Sequence, residues 1–289
     1  MKTSISTKMM NALRKANKRL TQDARSKLLA FVLSQQTECG AFVGKGGKED
    51  LYYTAFGWLV AYMQGIRLDA DKMRTFLSGF DAESLDLIHY ISWMKCKKLQ
   101  RLVSDGMVGM LLNVWSVNNV RTLDSFCDFP QGDRHSPYTQ FLWLSMLDDY
   151  NVRLVGKKQT LIDLQDYKVK GGGYANLKDC ETASANATAA ALMIKAQLAV
   201  YDHVEAVALR DMQEENGGFK ADALAPIPDL LSTATSLFAL KNYGIRPKYE
   251  PLDFIEAHFS ENGGFSATLF DDRSDMEYVF YGLLALGSL

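Results

Sequence analysis

Residues 204–240 read VEAVALRDMQEENGGFKADALAPIPDLLSTATSLFAL, and this stretch decides the architecture. It opens on an amphipathic segment, Val204 to Glu215, in which Val204, Val207 and Ala208 recur at helical spacing and predict one dry face. Asn216-Gly217-Gly218-Phe219 follows, supplying residues that tolerate the left-handed conformation at a helix C-terminus. After a loop, Leu230 to Leu240 carries no charge at all. A helix uncharged all round is buried all round, so this second helix belongs inside the molecule and the first outside it.

The same phrase recurs. Gly172-Gly173-Tyr174, Gly217-Gly218-Phe219 and Gly263-Gly264-Phe265 are spaced by 45 and 46 residues. Gly40-Ala41-Phe42 has the same shape 132 residues before Tyr174, which is three periods of 44. Two hidden units must lie between. Asp128-Phe129-Pro130 matches one landing point, and Gly79-Phe80 marks the other off register by six residues. Leu252 to Glu261, with Leu252, Ile255 and Phe259 on one face, is the outer segment before the last phrase. Charge-free partners run over Leu51 to Ile66, Ser136 to Leu147, Thr182 to Ile194, Leu230 to Leu240 and Tyr278 to Leu289. Alternating the two kinds six times predicts an all-α ring of about six helix pairs, an (α/α)6 toroid, as a single domain over residues 1–289 with 1–20 as an N-terminal extension.

Composition agrees with a globular chain: 47% hydrophobic and 23% charged residues. A formal charge of -2 gives no basic footprint, so nucleic acid is not an expected partner. The longest uncharged run, Leu51 to Ile66, is 16 residues, short of a membrane span. The locally basic Lys2 to Lys18 has no continuous apolar core of a signal peptide. Cys39, Cys96, Cys127 and Cys180 are widely spaced and read as free cytosolic thiols, and the chain is expected in the cytoplasm.

Asp50, Ser136 before Pro137, Asp229 after Pro228, and Asp275 mark the starts of inner helices. Parallel inner helices bring these starts to one mouth, where the functional residues are expected. Tyr52, Tyr53, Phe56, Trp58, Tyr138, Phe141, Trp143, Tyr278, Phe280 and Tyr281 concentrate in three inner helices, while residues 182–194, TASANATAAALMI, are small. Large aromatics facing small residues predict an apolar cavity suited to an isoprenoid or acyl chain. The same aromatics would also serve as plain ring packing.

A glycine-glycine-aromatic turn followed by a small or aromatic inner helix resembles the repeat of protein prenyltransferase β subunits and squalene-type terpenoid cyclases. Residues 28–66, LLAFVLSQQTECGAFVGKGGKEDLYYTAFGWLVAYMQGI, look most like a repeat of a type II geranylgeranyl transferase β subunit. The resemblance implies a hollow ring, an isoprenoid substrate, a zinc ion held by Asp, Cys and His, and a separate helical α subunit. Asp229 matches the family's Asp, but Leu231 and Tyr278 stand where its Cys and His belong. The family's diphosphate-binding Lys and Arg give way to Asp222, Asp271, Asp272 and Asp275, with only Lys220 and Arg273 beside them.

Protonating cyclases need a DxDD cluster, which is absent; Met146-Leu147-Asp148-Asp149 comes nearest but ends its helix, where it reads as C-terminal surface acids. Asp271-Asp272-Arg273-Ser274-Asp275 spells the magnesium-binding DDxxD, but set in a loop before an inner helix, where loop acids with Asp275 as an N-cap are the favoured reading. No cofactor is expected, with magnesium there, or zinc between His135, Cys180 and Asp229, as the alternatives. The expected function is therefore a prenyltransferase-like or cyclase-like protein binding a hydrophobic, isoprenoid-type molecule. Acid chemistry would fall to Asp229, Asp272, Asp275 or Tyr278, and ligand contacts to Tyr52, Tyr53, Phe56, His135, Tyr138, Cys180 and Tyr281. A non-catalytic scaffold that lost its zinc, with a helical partner or a second copy, is the second reading; a glycan-active enzyme using paired carboxylates is the third.

Overall fold

The computed structural model describes residues 3–113, 135–150, 152 and 156–289, so Cys127 and the phrase at Asp128-Phe129-Pro130 lie outside the described residues. Among the described residues the chain is mainly helical, with twelve α-helices and one two-stranded antiparallel pairing of two residues per strand. No described helix is long and apolar enough to cross a membrane.

The repeated phrase folds the same way each time. In four places the backbone closes a turn through N–H groups of Thr37, Val169, Glu214 and Ser260 donating to carbonyls of Ala41, Gly173, Gly218 and Gly264, at 2.8 to 3.0 Å. Pairings of Gln36 with Phe42, Lys168 with Tyr174, Gln213 with Phe219, and Phe259 with Phe265 complete it. Gly217 and Gly263 both have φ of +89°, and a Cβ there would lie 2.4 Å from Glu250 O or 2.1 Å from Lys27 O. Only glycine meets both demands. The aromatic of each phrase is buried, and in three of the four its N–H donates to a threonine on the inner helix: Phe42 to Thr54, Tyr174 to Thr188 and Phe219 to Thr233, each 2.9 Å.

The charge-free segments become α3 (Leu51–Gln64), α6 (Pro137–Asp149), α8 (Ala185–Gln197), α10 (Leu230–Asn242) and α12 (Met276–Ser288). Their N-caps are Asp50, Ser136, Ser184, Asp229 and Asp275, whose side chains accept from the N–H three residues on. A sixth helix, α5 (Leu87–Asn113, broken at Gly106), joins them. It carries Lys95, Lys97, Lys98 and Arg101, which is why charge alone could not identify it as interior. Helix α3 packs on α5, α5 on α6, α6 on α8, α8 on α10, α10 on α12, and α12 back on α3.

Shorter helices lie against these: α2 (Gln22–Ser34) on α3, α4 (Ala70–Ser78) on α5, α9 (His203–Asp211) on α8 and α10, and α11 (Leu252–Ala257) on α12. Helix α7 (Lys157–Asp163) runs into a 3-10 turn, Leu164–Tyr167. The dry face expected of α9 is the wrong one. Val204 is 79% exposed and Val207 38%, while Glu205, Ala206 and Leu209 are buried. Burial of Glu205 is offset by Lys168 Nζ at 2.6 Å and by the Gly173 N–H, so a charged residue occupies the interior and valines face water.

Helix α1 (Ile5–Arg19) falls within residues 1–20, read from sequence as an N-terminal extension, and packs against α12, α3 and α6. Ile5, Ala12, Leu13 and Ala16 are buried on one face, and Arg14, Lys15, Lys18 and Arg19 stay exposed on the other. The buried face lies across the C-terminal ends of α3, α6 and α12. Asn17 donates to Met63 O, Ser6 Oγ donates to Asp149 Oδ2 at 2.8 Å, and a Cβ on Gly287 would meet Ala12 O. Asp149 thus is not a surface acid. Its side chain is mostly buried, 3.7 Å from Lys95 Nζ, and burial pushes its carboxyl above the usual carboxylate range.

Candidate functional site

The N-terminal ends of the charge-free helices are tied together by their preceding loops. Phe219–Lys220 (β1) pairs with Pro228–Asp229 (β2), Ser184 pairs with Asp222, the Leu230 N–H donates to Ala267 O, and the Tyr138 N–H donates to Asn176 Oδ1. Side chains from α3, α6 and α12 meet at this end.

Tyr52, in the first turn of α3, donates its hydroxyl to Glu277 Oε1 at 2.7 Å. Tyr138 lies near enough to Tyr52, and Tyr53 to Glu277, to influence its ionisation. Rings continue inward from Tyr52 to Phe56 (centroids 5.0 Å), from Phe56 to Phe280 (5.0 Å) and Tyr281 (6.0 Å), and from Tyr281 to Tyr278 (6.3 Å). Lys45, in the loop before α3, places Nζ 5.6 Å from the centre of the Tyr278 ring.

Burial sets the protonation of this group. It pushes the Glu277 carboxyl up, and neighbouring Asp275 adds to the effect while Tyr52 and Lys45 oppose it. Asp275 and Asp229 are raised by burial too, against hydrogen bonds from the Tyr278 and Ser232 N–H groups respectively. The phenols of Tyr52, Tyr53, Tyr138, Tyr278 and Tyr281 are all raised, chiefly by burial. They act as neutral donors beside carboxyls that resist ionisation. Such an array donates protons and hydrogen bonds; it is poorly built to hold an anion.

Below it, Tyr52, Phe56, Leu59 and Met63 form a half-buried stripe at spacings of four, three and four on α3, amid largely buried neighbours. Tyr138 and Phe141 on α6, Leu231 and Thr235 on α10, and Tyr278 on α12 are half-buried likewise. The alanines of α8 are buried, Ala187 and Ala191 fully, while Thr182, Ala183, Ser184 and Asn186 at the start of the small stretch are half-buried.

Thus Tyr52, Tyr53, Phe56, Tyr138, Tyr278 and Tyr281 come together, with Asp275 beside them and Asp229 close enough to act on Tyr278 and Tyr281. Three residues named from sequence stand apart. His135 is exposed and 3.3 Å from Asp163; Cys180 is half-exposed in the loop before α8; Asp272 is exposed in the loop before α12.

Among the described residues no three His, Cys, Asp or Glu side chains gather as a metal set. The zinc implied by resemblance finds no fitting group: Asp229 gives Oδ1 to the Ser232 N–H (2.7 Å) and Oδ2 to the Ser232 hydroxyl (2.8 Å), and Leu231 and Tyr278 offer neither thiolate nor imidazole.

Glu277, Lys45 and His258 escaped sequence reasoning. Glu277 is a lone carboxylate opening a charge-free helix, which is the signal that could have found it. His258, 1% exposed with Nδ1 2.8 Å from Phe254 O and no partner for Nε2 among the described residues, lies at the C-terminus of α11, within electrostatic reach of Asp229. No family model matches the sequence, and no curated protein matches it.

Proposed function

We propose that the chain is an (α/α)6 toroid of the prenyltransferase and terpenoid cyclase kind that binds a hydrophobic, isoprenoid-type molecule along its inner aromatic face. The circuit of packing from α3 through α5, α6, α8, α10 and α12 back to α3 supports the ring. The observation that carries the ligand is the half-buried stripe Tyr52, Phe56, Leu59 and Met63, which descends from the tyrosine and carboxyl cluster on a helix of otherwise buried type. Half-exposed aromatic side chains on an interior helix are unspent apolar surface, worth about 25 cal/mol per Å2 to any chain that covers it.

Binding rather than thiol alkylation is the activity put forward. Asp229 is occupied in capping α10, and Glu277 is the acid best placed to give a proton to a bound molecule. The test is a thermal shift with farnesol and geranylgeraniol against their diphosphates. The alcohols should raise the melting temperature and the diphosphates should not. Replacing Leu59 by Trp, which fills the stripe, should abolish the shift. A shift with the diphosphates alone, or an equal shift in Leu59→Trp, would remove the proposal.

A further inference from the structure

The charges of this chain are not mixed along it. Residues 1–27 hold eight Lys and Arg and a single acid, Asp23, within a sequence whose formal charge is -2, so the residues after them are net acidic. The fold keeps the two signs apart. Asp50, Asp229, Asp275 and Glu277 stand at the N-terminal ends of inner helices, whereas α1 lies across the C-terminal ends of α3, α6 and α12.

Helix α1 contains no acidic residue. Its apolar face is spent on the domain, and its outer face presents Thr7, Asn11, Arg14, Lys15, Lys18 and Arg19, all exposed and recurring every three or four residues. Among the described residues none of these four cations has an ion-pair partner, and Asp23, the acid nearest in sequence, is taken by Lys27 at 3.1 Å. Lys241 of α10 joins them. Burial lowers its pKa, and Lys15 and Arg19 lower it further, so the three positive groups share one field.

Cations favour a helix C-terminus, which accounts for Lys18 and Arg19 in the last turn of α1 and for Lys241 in the last turn of α10. It does not account for Arg14 and Lys15, nor for five like charges gathered on one pole. Such a patch is complementary to negative charge. Its cations stand on the convex side of a helix and not around a hollow, so they suit an extended anionic surface better than a single small anion. Nucleic acid fits less well. The exposed positions of α1 bring no aromatic ring to stack on a base, and a long polyanion running past the strip would meet a net-acidic chain, while a bilayer touches one pole alone. Met10, half-buried one turn before Arg14, adds an apolar side chain at the edge of the strip.

We infer that the outer face of α1, together with Lys241, seats the protein on an anionic lipid surface and turns the tyrosine and carboxyl end towards solution. Each cation held near such a surface raises the partition coefficient about fivefold, so five suffice for reversible adsorption. The inference is independent of the ligand reading above.

Co-sedimentation with vesicles tests it, phosphatidylserine mixed into phosphatidylcholine against phosphatidylcholine alone. The mixed vesicles should bind at least about tenfold more tightly, and about 0.5 M salt should release the protein, because screening shortens the reach of the patch. Lys15→Gln combined with Arg19→Gln should weaken binding about twentyfold. Lys48→Gln combined with Arg273→Gln, which removes two exposed cations at the other end, should leave it unchanged. Circular dichroism of each variant checks that it folds. Equal binding to both kinds of vesicle, no binding to either, or an equal loss in the two double variants overturns the inference. Tighter binding to a DNA duplex than to the mixed vesicles in the same salt overturns it in favour of nucleic acid.

Discussion

Glu277 sits in the first turn of α12, where a carboxylate favours the helix dipole, yet it is only 9% exposed and shares its proton environment with Tyr52, Tyr53, Asp275 and Lys45. Its carboxyl is raised from an ordinary 4.5, so the folded state holds the proton more tightly than the unfolded one. The stability this confers is complete below pH 4.5 and is lost as pH rises through the folded value. Glu277→Gln, which keeps an oxygen acceptor for Tyr52, should therefore gain on the parent protein as pH rises from 4 to 8. Melting temperatures across that range read the difference, and a constant offset would refute it. Gly57 carries a second residue-scale prediction, because a Cβ there would fall 2.2 Å from Phe42 Cγ. Alanine gains about 1 kcal/mol of helix propensity over glycine, but forcing apart a buried ring costs about 1–3 kcal/mol and upward. Gly57→Ala should lower the urea midpoint; an unchanged midpoint would show that Phe42 can move aside.

Helix α9 shows what elements add. Its sequence offers Val204 and Val207 as the dry face, yet the buried residues are Glu205, Ala206 and Leu209. Periodicity counts apolar letters and cannot foresee that Lys168 and the Gly173 amide make an interior place for a carboxylate. Val204→Lys should shift stability by no more than about 0.5 kcal/mol, whereas Leu209→Ala should cost about 2–5 kcal/mol. Chemical denaturation of both variants decides which face is inside. The five charge-free helices and four of their caps, Asp50, Ser136, Asp229 and Asp275, were legible because absence of charge and a cap residue are local properties; Ser184, the cap of α8, was not singled out. Helix α5 was not, since Lys95 reaches Ser145 and the Asp149 carboxyl on α6, a pairing between residues about fifty positions apart. The site divides the same way. Its tyrosines and Asp275 lie on helices the sequence marks, while Lys45 and Glu277 acquire their meaning from being brought together. His135, Cys180 and Asp272 share loops of the right kind but point to other neighbours or to water.

At the scale of the molecule, helix α1 lies on α12. Helix α1 packs chiefly on α12, with Ala12 against Gly287, and Lys241 of α10 donates to the carbonyl of Leu289. Removing residues 1–20 should expose the ends of α3, α6 and α12 together and lower the melting temperature of the whole domain, not of one part. Calorimetry showing a lost minor transition with the main one unmoved would contradict this. The arrangement also orders events in time. Helix α1 has to wait for α12, which follows it in synthesis, before its buried face is covered. Arrays of open repeats can fray from their ends. Here α1 and α12 cover each other, and the helices between them should melt as one clasped unit.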